Sequence, residues 1–157
     1  MKNFEIEDTK IFMNELLNST RFDSFYLYEA RLKTSLDYFI GGRINHEFYK
    51  DDEESGDDIS QEYVYWKDIK HTLFELIKGK RLPINFKFIL MFNRDNITRL
   101  IEMNNLTIAP EDVGALFYNI HYDDGKLQII TGSSVKVFTL DKSLDKIWDE
   151  TVERYYL

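Results

Sequence analysis

The chain has no cysteine among its 157 residues, only two prolines and three histidines, and no long apolar run. The missing thiols exclude disulfides, thiolate nucleophiles and cysteine-ligated zinc. His46, His71 and His121 have no second histidine at metal-ligand spacing, so a metal would need carboxylates gathered by the fold, and no metal site is expected. Glycine is missing where phosphate chemistry would need it. There is no G-x-G-x-x-G and no phosphate loop, and the H-E-x-x-H and G-x-S-x-G signatures are absent as well. Lys78-Gly79-Lys80 lacks the upstream glycine of a phosphate loop and reads as a glycine helix stop flanked by cations. No segment approaches the ~18 apolar residues of a membrane span. Met1 to Ile6 has no apolar signal core. The expectation is a cytoplasmic protein with no cofactor, no catalytic residues of a known motif and no membrane contact.

Aromatic side chains are plentiful. Twelve phenylalanines and ten tyrosines bring the aromatic share to 15%, and rings of that size bury enough area to order a core. The length suits one domain, 1–157. The net charge of −8 is local. Asp51, Asp52, Glu53, Glu54, Asp57 and Asp58 form one run, and removing those six leaves 22 acids against 20 lysines and arginines. The run lacks the ligand spacing of a calcium loop and reads as a solvated acidic loop over 50–59.

Periodicity lays out the elements. A short strand around Phe4 and Ile6 precedes a helix from Thr9 to Asn18, capped by Asp8. A hairpin follows over Phe25–Lys33 and Leu36–Ile44. A three-residue loop at Thr34, Ser35 and Leu36 would put Tyr26, Tyr28, Ala30 and Leu32 on one face with Tyr38, Ile40 and Ile44, and Glu29, Arg31, Lys33, Asp37 and Arg43 on the other. Asp58 and Gln61 resemble a capping box for a helix over 64–78 that carries Trp66. Past Pro83 come a strand from Ile84 to Phe92, a short helix at Asn96–Asn104 and a turn at Pro110. An Asp124-Gly125 type I′ hairpin follows. Thr131-Gly132-Ser133-Ser134 reads as a turn, Val135–Leu140 as a further strand, and Ser143–Tyr156 as a closing helix with Trp148. The predicted class is α+β, a mostly antiparallel sheet with helices packed on it. The order strand, helix, strand, strand, helix occurs twice and suggests an internal duplication of halves 4–78 and 84–156. At an offset near ninety, Tyr28, Ile40, Gly42 and Phe48 meet Tyr118, Ile130, Gly132 and Phe138. The competing explanation is that alternation makes all hairpins look alike.

One constellation has binding chemistry. Glu29, Arg31, Arg43 and His46 gather on or just beyond the polar face of the first hairpin and could receive a small anionic ligand, because guanidinium groups donate paired hydrogen bonds to carboxylate or phosphate. The plainer alternative is an ion pair on a solvated sheet face.

The segments Glu7-Asp8-Thr9-Lys10-Ile11-Phe12-Met13, Gly42-Arg43-Ile44-Asn45, Leu76-Ile77-Lys78-Gly79-Lys80 and Thr139-Leu140-Asp141-Lys142-Ser143-Leu144 resemble an uncharacterised family of Gram-positive anaerobic bacteria, a domain of unknown function. The resemblance spans nearly the whole chain and implies a single bacterial domain, with no activity to carry over. More loosely, strand, helix and three strands in duplicate is similar to the subdomain plan of DNA sliding clamps. The leading functional expectation is a non-catalytic binding or protein-interaction module with an unidentified protein partner or small anionic ligand. An enzyme with a dispersed polar site and a clamp-like nucleic-acid-associated protein are the alternatives. Nucleic acid is disfavoured because Lys78, Lys80 and Arg81 are too few to make a basic stripe.

Overall fold

The structure is a computed structural model and describes residues 1–50 and 60–157. Six strands form one antiparallel sheet: β1 (Asn3–Ile6), β2 (Tyr26–Lys33), β3 (Asp37–Gly41), β4 (Asn85–Met91), β5 (Val113–Asp123) and β6 (Lys126–Val135). Their spatial order is β1-β6-β5-β4-β2-β3. Among the described residues there are four α-helices: α1 (Thr9–Asn18), α2 (Trp66–Ile77), α3 (Arg94–Met103) and α4 (Ser143–Tyr155). This is the α+β, antiparallel class that the alternating and helical periods point to.

Side chains in register build the core row by row. Ile40, Ala30, Phe88, Ile120, Ile129 and Phe4 lie in one line across the sheet, and Tyr38, Leu32, Phe86, Tyr122, Leu127 and Ile6 lie in the next. Most of these side chains are buried, and they share one cluster with Leu16 of α1, Leu73 of α2, Ile97 of α3 and Val152 of α4. All four helices therefore cover the same face of the sheet. The two tryptophans anchor that layer. Trp66 lies 5.9 Å from the Phe88 ring, and Trp148 lies 4.8 Å from Phe92. The indole of Trp66 also donates to the Leu16 carbonyl at 2.8 Å, in the last turn of α1, where carbonyls lack helical partners. Asp8 caps the other end of α1 by accepting from the Ile11 amide.

Both hairpin registers follow the sequence pattern. Lys33 faces Asp37 across a three-residue loop. Asp123 faces Lys126 across Asp124-Gly125, whose φ values of 52° and 74° are those of a type I′ turn. Four details differ. A β-bulge between Leu27 and Glu29 turns Leu27 into the core and leaves Tyr26 and Tyr28 on the opposite face. Residues 62–65 are extended and not helical: the Val64 amide donates to the Gly42 carbonyl, and the Leu27 amide donates to the Val64 carbonyl. That wedge between the ends of β2 and β3 delays α2 to Trp66, with Tyr65 as its N-cap. Residues 131–134 are no turn, because the eleven residues of β5 keep β6 paired through Val135. The expected strand over Val135–Leu140 does not form. β5 and β1 already occupy both edges of β6, so the chain leaves the sheet with Phe138 and Leu140 exposed.

The element order repeats, but the strand order does not. β4 pairs with β5, whereas β1 lies at the far edge against β6 and not beside β2. Tyr28 and Tyr118, matched by the offset, sit in opposite environments, 40% exposed and fully buried. The spatial arrangement thus carries no duplicated unit. The expected acidic loop and the capping residue Asp58 lie outside the described residues.

Candidate functional site

The sheet face opposite the helices carries no helix among the described residues. Its rows can be read from the same register. Phe39, Arg31, Lys87, His121, Gln128 and Glu5 form one line; Gly41, Glu29, Ile89, Asn119, Ile130 and Asn3 the next; Tyr26, Met91, Phe117 and Gly132 a third. A solvated antiparallel face is ordinarily polar. This one is polar toward Phe39 and Glu5 and aromatic at the opposite end.

The aromatic end is assembled by the bulge and the wedge together. Tyr28, the residue skipped in the register, puts its ring 5.8 Å from Tyr63 and 5.9 Å, edge-on, from Phe117. Tyr26 lies 5.1 Å from Tyr65. These rings shield Ile89 and Met91, which are buried although they point away from the helices. The tyrosine hydroxyls at positions 26 and 63 are harder to ionise than usual. Burial raises both, helped by Tyr65 beside the first and by the Glu62 carboxylate beside the second. Both remain neutral donors at physiological pH.

Next to the rings is a recess of about 460 Å³, lined by Tyr26, Glu62, Tyr63, Met91, Glu111 and Lys136 among others. Arg94 also reaches it, but its guanidinium holds the chain at 110–114 in place by donating to the carbonyls of Pro110 and Val113 at 2.7 and 2.8 Å. Elsewhere, a groove of about 630 Å³ between α3 and α4 is lined by Arg99, Arg154, Glu150 and Glu153 among others.

The four residues singled out from the sequence are only partly brought together. Glu29 and Arg31 pair at 3.2 Å, and the Arg31 guanidinium lies 4.7 Å from the centre of the Phe39 ring. Glu29 faces Gly41, two residues from Arg43, but Arg43 forms its ion pair with Glu62 of the wedge at 3.4 Å and not with Glu29. His46 leaves the sheet in a short 3-10 turn and contacts the Gln61 carbonyl at 3.1 Å. Two ion pairs thus lie on the face, one within its polar rows and one at the rim of the recess. Among the described residues, no three acidic or histidine side chains are placed to hold a metal ion. Val64 and Tyr65 fall within the expected helix over 64–78 but are extended, with α2 starting at Trp66; the strand propensity of Tyr63-Val64-Tyr65 is the signal for them.

His121 sits midway along the polar row. Burial, with the Lys87 ammonium in the adjacent position, lowers its pKa below the ordinary imidazole value. No helix of the described residues is long and apolar enough to cross a membrane. The family model that matches residues 15–157 is described as a family of unknown function, DUF5721, and the chain belongs to that family. No curated protein and no solved structure matches the chain.

Proposed function

We propose that the protein is a cytoplasmic, non-catalytic binding module whose helix-free sheet face receives a basic segment of a partner protein. The observation behind this reading is the cluster of Tyr26, Tyr28, Tyr63, Tyr65 and Phe117 on a sheet face that no described helix covers. Tyrosine clusters are typical of interaction surfaces, since each ring offers large apolar area at low entropic cost and a hydroxyl to hydrogen-bond. The charge of the partner is argued from what these rings already do. Phe39 receives Arg31, and Tyr65 receives Lys67 at 5.5 Å, so the face is suited to cations over its rings. Glu62 and Glu111 add carboxylates at the recess, beside Arg94 and Lys136, and the acidic run 51–58 shortly precedes Ser60 in the sequence.

The test is fluorescence anisotropy with four probes: an arginine-rich peptide, a glutamate-rich peptide, a single-stranded oligonucleotide, and inorganic phosphate as a competitor. The reading expects the basic peptide alone to bind, with affinity falling as salt rises. The charge-neutral change Tyr28→Ser with Tyr63→Ser should weaken it by about tenfold or more, the scale on which aromatic anchors act. Equal binding by that variant would reduce the effect to bulk charge and overturn the reading. A small anionic ligand held by Glu29, Arg31, Arg43 and His46 is the second reading, favoured by the exposure of Arg43 on the rim. Competition by phosphate that vanishes in Arg43→Ala would select it, and tight oligonucleotide binding would select a clamp-like role.

A further inference from the structure

β3 ends the sheet, and its outer edge has no partner among the described residues. Hydrogen bonding fixes which groups face outward. The Gly42 amide donates inward to Tyr28, and the Ile44 amide donates inward to Glu62. Alternation along a strand then points the backbone groups of Asp37, Phe39, Gly41 and Arg43 away from β2. Seven residues of open edge are a liability that proteins normally blunt with charge, brevity or a bulge. Here the edge carries Phe39, 60% exposed, and a pair of glycines.

Only one of those glycines is explained by the chain's own fold. A Cβ on Gly42 would lie 1.8 Å from the Leu27 carbonyl oxygen, so nothing larger fits. A Cβ on Gly41 would meet nothing closer than the Phe39 ring at 3.7 Å, and its backbone is not left-handed. Gly41 therefore has spare room, and it lies on the outward-facing half of the edge.

We propose that β3 pairs with β3 of a second copy, antiparallel about a two-fold axis at Ile40, extending two sheets into one. In this register the outward groups of one copy bond to outward groups of the other, and the side chains complement each other. Asp37 falls opposite Arg43 of the other copy, Phe39 opposite Gly41, Tyr38 opposite Gly42, and Ile40 opposite itself. Opposite charges and an aromatic ring over a glycine are favourable cross-strand pairs. Asp37 has no ion pair among the described residues, and Arg43 has only its exposed contact with Glu62. The opposite sheet edge lacks this pattern: β1 has four residues and is followed by Glu7 and Asp8, which would repel a second copy. The pairing carries the helix-free faces of both copies onto one continuous surface.

The interface is small, so the dimer is expected to be weak, with half-association at about 10–100 µM. Sedimentation equilibrium of the full chain should show it. Asp37→Arg and Arg43→Asp should each weaken association by about tenfold or more, because each sets like charges face to face, and the two changes combined should restore it. Hydrogen exchange on the unmodified protein gives an independent check: the amides of Phe39, Gly41 and Arg43 should gain protection as concentration rises, while those of Asn3 and Glu5 should not. A wild type that stays monomeric at about 300 µM would overturn the proposal. So would a dimer that leaves those three amides unprotected or that the double variant fails to restore.

Discussion

Adjacent glycines give the sharpest quantitative test of the geometry around β3. Gly41 and Gly42 look interchangeable in sequence, yet the structure assigns them opposite tolerances. At position 42 an alanine methyl would have to stand 1.8 Å from a backbone oxygen, and that oxygen belongs to β2, so the strand itself must move. The shift disturbs two hydrogen bonds of 2.9 Å, Gly42 to Tyr28 and Val64 to Gly42, which seat the wedge carrying Tyr63. Each bond is worth ~1 kcal/mol net, and forced overpacking adds ~1–3 kcal/mol. Gly42→Ala should therefore cost about 3–5 kcal/mol, which for a domain of this size is a fall in Tm of roughly 10–15 °C. Gly41→Ala meets only an ordinary contact at 3.7 Å and restricts the unfolded chain. It should be neutral or stabilising by up to ~1 kcal/mol. Urea denaturation followed by tryptophan fluorescence reads both, since Trp66 and Trp148 are buried. Work at low micromolar concentration keeps self-association out of the comparison. Similar losses for the two variants, or a mild effect at 42, would refute the wedge geometry and with it the placement of Tyr63.

Other outcomes follow from single contacts. Trp66→Phe keeps a ring against Phe88 but strands the Leu16 carbonyl at the end of α1, so denaturation should show a loss of about 2–4 kcal/mol; a loss below about 0.5 kcal/mol would mean the carbonyl is satisfied otherwise. His121 has a pKa below the ordinary 6.5 when folded. The unfolded chain therefore binds its proton first as pH falls, and stability is full above the ordinary value and declines as pH drops through the folded one. NMR titration should place the His121 midpoint below 6.5, and His121→Gln should flatten the fall in stability on acidification. Replacing residues 51–58 with a short glycine-serine linker should leave Tm within a few degrees, as expected if the run is the solvated segment its charge pattern suggests, yet weaken binding of the basic peptide. Unchanged binding would remove the acidic run from the proposed surface.

Much of the fold was legible because alternation and helical spacing are strong in this chain. The limits of α1, the three-residue loop before Asp37 and the Asp124-Gly125 turn all follow from local chemistry. What local chemistry could not reveal were long-range partnerships. The bulge at Tyr28 depends on how β4 pairs with β2, and the extended run 62–65 depends on a gap left between the ends of β2 and β3. Both lie at the candidate site. Glu29 and Arg31 were found together as the alternation implied, while Arg43 met Glu62 through a segment whose strand character was visible in Tyr63-Val64-Tyr65 but was outweighed by the helix beside it. Sequence also hid the strand order, since nothing local tells β1 to cross to β6.

The claim that the helix-free face is the working surface is tested most directly by amide chemical-shift mapping of the isotope-labelled protein during titration with the arginine-rich peptide. The account predicts changes concentrated at Tyr26, Tyr28, Tyr63, Phe117 and Lys136. Changes confined to the groove between α3 and α4, around Arg99, Glu150 and Glu153, would contradict it.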